Sequence, residues 1–267
     1  MDVNLLAYKE IMCSYSFVCQ AVKFINDLVV TTIIWAYYIV CYLLFVFPLH
    51  LCAYLFLKNH EDVFQATNHF FFKGFFLLVH LLIPKVSFSV SPEVKNLRSC
   101  IVVSNHLSYL DPLLFISVFR RHKTIVKPVF FRVPVFGWLL RSSGYIPAMG
   151  EDRFDVKAME QIQCLRQYME SGGILFVFPE GRRSRDGKVG VLNKGAFKIA
   201  RYCNMPLNVL LIKNTESLFP PGTFLFNSWA DRDVGLDLVR TINPDKSKAR
   251  SHIKEDVNLV RSLFRQV

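Results

Sequence analysis

His106-Leu107-Ser108-Tyr109-Leu110-Asp111 places an imidazole and a carboxylate five positions apart in this 267-residue chain. Such a pair could do acid–base chemistry. Near neutral pH an imidazole takes a proton from a hydroxyl, and a carboxylate at its other nitrogen fixes the tautomer and stabilises the imidazolium. Five residues along a regular helix is a rotation of about 140°, too far for one face, so the two side chains meet only if the segment between them turns. Pro112 favours a turn, because the residue before proline is pushed out of the helical region. The spacing predicts Asp111 as a helix N-cap with Pro112 at N1, and a helix through Leu113, Leu114, Ile116, Val118 and Phe119 that ends near Arg120 and Arg121. The same residues also fit a plainer reading, in which Asp111 only caps its helix and His106 is a surface loop residue.

The element that must position His106 is the run before it. Ile101 to Val103 is apolar and β-branched, reads as a buried strand, and stops at Ser104-Asn105. His106 then falls where a strand of an α/β sheet delivers side chains to a crevice. A second stretch repeats this grammar. Ile174 to Val177 reads as a buried strand, and Phe178-Pro179-Glu180-Gly181-Arg182-Arg183-Ser184-Arg185 follows as a turn with one carboxylate, one glycine and three arginines.

Together the two stretches resemble the glycerolipid acyltransferase family, whose type members acylate 1-acylglycerol-3-phosphate. The family's signatures are a His and an Asp separated by four residues and preceded by Asn, and a Phe-Pro-Glu-Gly loop. Both stand here, about 70 residues apart and in the family's order. A middle block, Arg132-Val133-Pro134-Val135-Phe136-Gly137-Trp138 followed by Gly144-Tyr145-Ile146-Pro147, is similar too, with Arg153 at the place of a later phosphate-binding arginine. Three departures fall in the acceptor-binding blocks. Ala148 to Asp152 makes the approach to Arg153 longer and more acidic. Met205-Pro206-Leu207 keeps one proline where two are usual. Arg182 stands where the familiar loop has Thr.

The resemblance implies an acyl transfer. His106 would accept the proton of a lysolipid hydroxyl as it attacks an acyl thioester, then protonate the leaving thiol, with Asp111 holding His106. Asn105, Glu180 and Gly181 would contact the acceptor, and Arg153, Arg182, Arg183 and Ser184, with Arg185 beside them, would bind its phosphate. Arginine suits phosphate because its planar fork can bond two oxygens at once. No metal and no cofactor is implied; the co-substrate is acyl-CoA or an acyl carrier protein thioester. The expected product is phosphatidic acid, for phospholipid synthesis. A different lysolipid acceptor, or a membrane-anchored lipid-binding protein without catalysis, are the alternatives.

Composition supports a lipid partner. Hydrophobic residues make up 52% of the chain, and its net charge of +11 is uneven. Residues 1–84 hold four Lys/Arg and five Asp/Glu, so the remainder carries +12. A basic surface suits anionic headgroups or nucleic acid; the apolar first third favours lipid over nucleic acid. Between Asp27 and Lys58 no side chain is charged, a run longer than the ~20 residues a span requires. Trp35, Tyr37, Tyr38, Tyr42 and Tyr54 are candidate interfacial anchors. Pro48 and His50 make this one long tilted helix or a kinked one. The run starts too late and is too long for a cleaved signal peptide.

Phe70 to Ile83 is short for a span and reads as a re-entrant or interfacial helix, the alternative being a buried helix of the globular domain. The seven cysteines show no paired spacing and read as buried small hydrophobes. His50, His60, His69, His80, His122 and His252 lack a motif and read as structural or surface residues.

Past Pro84, short strands alternate with helices: strands at 86–90, 101–103, 124–129, 145–147, 174–177, 207–212 and 234–242, and helices at 112–121, 133–140, 154–169, 194–202 and 249–264. This pattern predicts an α/β fold, a central mixed sheet flanked by helices, preceded by a membrane-associated helical segment. The expected division is residues 1–84 as membrane helices and 85–267 as the catalytic domain, on the cytoplasmic side.

Overall fold

The computed structural model describes residues 3–148, 156–183, 189–244 and 252–265. Its centre is a seven-stranded sheet in the order β1-β7-β6-β2-β5-β3-β4. The strands are β1 (Ser87–Val90), β2 (Cys100–Ser104), β3 (His122–Val126), β4 (Ile146–Pro147), β5 (Ile174–Val177), β6 (Leu207–Lys213) and β7 (Asp233–Ile242). β2 to β6 run parallel; β7 is antiparallel to β6 and pairs β1 in parallel, so the sheet is mixed.

The apolar runs follow from strand position. β2 lies between β5 and β6 and is buried at all five residues, which demands apolar side chains on both faces. Alternation then divides the core. Cys100 and Val102 join one cluster with Ile174, Phe176, Leu210 and Ile212, whereas Ile101 and Val103 join the other with Leu175, Val209 and Leu211.

Ten helices are described. The first core is covered by α1 (Val3–Ala36), α3 (Glu61–Leu82) and α5 (Leu110–Val118), the second by α7 (Val156–Glu170), α8 (Gly195–Cys203) and α10 (His252–Phe264). α2 (Phe47–Phe56) precedes α3, α6 (Phe136–Ser142) follows β3, and α4 (Pro92–Lys95) and α9 (Thr215–Leu218) are single turns.

α1 passes through a π-helical stretch, Tyr37–Val46, directly into α2. Pro48 has no N–H to give the fourth residue before it, and the chain widens there instead of breaking: Phe47 N–H bonds Tyr42 C=O. Val18–Phe56 is thus 39 residues of continuous helix, long and apolar enough to cross a membrane, with 17% of its most apolar window buried. Two charged residues interrupt this apolar surface, Lys23 and, 2.5 Å from it, Asp27. Asp27 is buried against the segment after α9, accepting Ser228 N–H at 2.7 Å and Ser228 O–H at 2.6 Å, while Thr31 accepts Phe226 N–H at 2.8 Å.

Four expectations are corrected. The run 70–83 is not a separate short segment but the second half of the 22-residue α3, one face of which packs on the globular core and buries Phe64, Phe71, Phe72, Phe75, Phe76 and Val79. Phe70, Leu77 and Leu81 on its other face are exposed, so both faces are apolar and the periodic signal is lost. β3 starts two residues earlier than 124 and stops before Pro128, which opens a 3₁₀ turn, Pro128–Arg132. The helix expected from Val133 starts at Phe136, because Val133 precedes Pro134 and is extended there. Of the cysteines, Cys100 and Cys203 are buried, but Cys52 and Cys164 are exposed, since they fall on outward faces of α2 and α7.

Candidate active site

β6, β2 and β5 are neighbours and parallel, so their C-terminal ends open on one edge of the sheet. β2 delivers Asn105 and His106, β5 delivers the turn from Phe178, and β6 delivers Thr215 at the start of α9. Three distant parts of the sequence meet there, as the crevice rule for α/β sheets requires.

His106 and Asp111 meet. His106 Nδ1 lies 2.8 Å from Asp111 Oδ2. The same oxygen accepts Leu107 N–H at 2.6 Å and Ser108 N–H at 2.8 Å, and Oδ1 accepts Thr215 O–H at 2.5 Å. An oxygen already accepting two backbone N–H groups makes Nδ1 the donor toward Asp111, which leaves Nε2 as the acceptor on the cleft side. Asp111 is fully buried and His106 retains a partly open face. The imidazole also stacks on Phe178, with ring centroids 4.3 Å apart.

Asp111 is not the N-cap expected of it. α5 starts at Leu110, and Asp111 lies in its first turn with Tyr109 at the cap. Its carboxylate turns back onto the two N–H groups of the loop before the helix. That holds the loop closed and brings the residues together despite the unfavourable helical spacing. The turn is tied twice more, by Ser108 O–H to Phe219 C=O at 3.0 Å and by Asn105.

Asn105 lies apart from the cleft. Its side chain donates to Ile212 C=O at 2.9 Å and accepts Ile212 N–H at 2.8 Å, stitching β2 to β6. It is buried with both ends of its amide engaged and does not line the cleft, so here it positions the turn.

The β5 turn is built differently. Gly181 has φ +64° with open space where a Cβ would stand, a conformation that favours glycine. Glu180, expected toward a ligand, gives one oxygen to Gly190 N–H at 2.9 Å and so closes the base of the loop; it also lines the cleft. Arg182 is exposed. Arg183 sits over Tyr109, with Cζ 3.2 Å from the ring centroid, a cation–π contact that restrains the guanidinium. Arg153, Ser184 and Arg185 lie outside the described residues.

These groups open into a cleft of about 2300 Å³. One wall is apolar, with Tyr38, Tyr42, Phe71, Phe72, Leu113 and Ile116; Lys127, Arg182, Arg183 and Lys194 bring positive charge to it. A second histidine, His122, stays out of this chemistry. It is buried, its pKa is pushed down to about 4 by loss of water, and its nitrogens are held by Phe119 C=O at 2.7 Å and Tyr145 O–H at 2.8 Å.

Sequence reasoning missed Thr215, Phe178 and Tyr109 as parts of the site. Phe178 and Tyr109 lie beside residues it had marked. Thr215 has no local signal, being 104 residues from the carboxylate it supports.

Residues 85–212 match the acyltransferase family model. A chloroplastic 1-acyl-sn-glycerol-3-phosphate acyltransferase from Brassica napus is 34% identical over 169 residues, 60% of this chain and 47% of that protein. The chain thus spans about half the length of that relative. A 1-acyl-sn-glycerol-3-phosphate acyltransferase from Borreliella burgdorferi is 26% identical over 66% of this chain and 68% of its own length. The crystal structure of the 1-acyl-sn-glycerophosphate acyltransferase PlsC from Thermotoga maritima shares the fold, with a TM-score of 0.67 and 21% identity over 91% of this chain and 97% of that one.

Proposed function

From the match of residues 85–212 to the acyltransferase family model, we propose that this protein moves a fatty acyl group from an acyl thioester to the free hydroxyl of 1-acylglycerol-3-phosphate, giving phosphatidic acid for phospholipid synthesis. The observation that carries this reading is the His106–Asp111 pair opening into a cleft with one apolar wall and arginines beside it.

The acceptor hydroxyl binds with its proton toward His106 Nε2. As the oxygen attacks the thioester carbonyl carbon, Nε2 takes the proton and Asp111 stabilises the imidazolium. The tetrahedral oxyanion collapses, the C–S bond breaks, and His106 returns the proton to the departing sulfur. Holding both substrates in one cleft supplies the proximity that a bimolecular reaction lacks. Arg183, restrained over the Tyr109 ring, meets the acceptor phosphate, and Glu180 and Gly181 shape the wall beside the glycerol. The apolar wall takes acyl chains. The donor is acyl-CoA or acyl carrier protein thioester.

In this reading residues 1–84 hold the protein in the membrane and 85–267 carry the chemistry on the cytoplasmic side. The six described cysteines are all free, which suits a reducing compartment. Arg182 favours one second reading: standing where the familiar loop has Thr, it would select a lysolipid with a different headgroup. An acceptor panel decides between them. The membrane-bound protein is given an acyl thioester with lysophosphatidic acid or phosphate-free lysolipids, and thiol release and diacyl product are followed. Preference for lysophosphatidic acid supports the first reading; preference for another lysolipid supports the second.

A further inference from the structure

The eight residues 129–136, which follow β3 and end on the first residue of α6, expose five large apolar side chains. Val129, Phe130, Val133, Val135 and Phe136 are each between 42 and 59% exposed. Clustered apolar exposure of this kind marks a binding surface. The segment is also rigidly built. The 3₁₀ turn Pro128–Arg132 leads into a γ-turn in which Phe136 N–H bonds Pro134 C=O at 2.6 Å and Val135 takes φ +61°. A β-branched residue holds that backbone only where its surroundings enforce it. Gly137 is part of the enforcement, because a Cβ there would lie 2.2 Å from Phe131 O. Arg141 adds a bond to the same carbonyl at 2.7 Å.

Charge and position identify the partner. From Pro112 to Gly150 the sequence has no acidic residue. Arg121 and Lys123 in that span pair with Asp62 and Glu61, whereas Lys127 precedes the apolar segment, Arg132 lies within it, and both are exposed. Trp138 of α6 packs edge-on to Phe47 and Tyr54 of α2, at 6.1 and 5.5 Å between ring centroids. The segment therefore stands beside the end of the apolar helix, where Leu55 and Phe56 are also exposed. Phe130, Val135 and Phe136 meanwhile line the cleft that holds His106.

We propose that residues 128–136 form a second membrane contact, which inserts its apolar side chains into an anionic bilayer and seats the cleft mouth on the lipid surface. An amphiphilic acceptor then enters from the bilayer without its chain crossing water. The consequence for turnover rests on the acyltransferase reading; insertion does not.

The test uses the full chain in vesicles containing phosphatidylglycerol. Val133→Trp, compared with Leu259→Trp on α10, is probed with brominated phospholipid. Extra quenching at 133 and none at 259, relative to the unsubstituted protein, is expected; equal change at both sites overturns the proposal. Val129 and Val133 do not line the cleft, so Val129→Glu with Val133→Glu tests the consequence. A several-fold loss of turnover on vesicle-borne acceptor, with a short-chain dispersed acceptor unaffected, is expected. No loss, or equal loss on both, overturns the role in acceptor entry. Were the protein to show no acyl transfer at all, the quenching result would still decide insertion.

Discussion

The turn after β2 and the turn after β5 begin alike, as buried strands ending at the same sheet edge, but finish in opposite ways. In the first, Asn105, Ser108 and Asp111 are each bonded to backbone or to a distant strand end. In the second, Gly181 faces open space, Arg182 is exposed, and Arg183 rests on a ring face with its Nη1 buried and lacking a hydrogen-bond partner. A group that must transfer a proton to a fixed atom gains from being held on every side. A group that must meet a phosphate needs a restrained position and unpaired donors. The difference teaches which measurements each turn controls: turnover and stability for the first, acceptor affinity for the second.

The sharpest way to break that division is Asp111→Ala. It removes the acceptor of two backbone N–H groups, the Thr215 hydroxyl and the imidazole together. Activity is expected to fall by about 10²–10⁴-fold, and the melting temperature to drop, because lost hydrogen bonds to a charged group cost about 1.5–3 kcal/mol each. An unchanged melting curve would show that the first turn is not held by its carboxylate.

Next is Arg183→Ala, expected to raise the acceptor KM about 10- to 100-fold, from a lost charged hydrogen bond of about 1.5–3 kcal/mol, with donor KM unchanged. Arg183→Lys keeps the charge and loses the fork, so its effect should be smaller. A fall in kcat alone would merge the two turns into one function.

Thr215→Val should lower kcat about tenfold, the equivalent of ~1.4 kcal/mol, with both KM values unchanged, and Thr215→Ser should restore it. Equal loss in Val and Ser variants would assign Thr215 to packing alone. The smallest effect on catalysis is expected from Asn105→Ala, which leaves Ile212 N–H and C=O without partners. Thermal stability should fall by about 1–3 kcal/mol while acceptor KM holds; a raised acceptor KM would return Asn105 to the binding surface.

The legible parts were those with local grammar. The strands around β2 and β5 announce themselves because a strand buried on both faces must be apolar throughout. His106 and Asp111 were marked by residue type, although the spacing placed Asp111 at a cap and not inside the helix. What stayed hidden depends on distance or on mixed demands. Thr215 and Ile212 reach the site only through sheet order. α3 conceals its helical period because Leu77 and Leu81 are apolar on the exposed side as well. The γ-turn at Val135 goes against what a β-branched residue prefers, so no propensity could place it.

The central claim is that His106, held by Asp111, takes the proton of an acceptor hydroxyl as the acyl thioester is attacked. The most direct measurement is thiol release from the thioester by membrane-bound protein, with and without lysophosphatidic acid, for the unsubstituted chain and for His106→Ala. The expected result is release that requires the acceptor, accompanies phosphatidic acid formation, and falls by about 10²–10⁴-fold in the variant, while the variant stays folded and in the membrane fraction. Acceptor-dependent release at a near-normal rate in His106→Ala would contradict it.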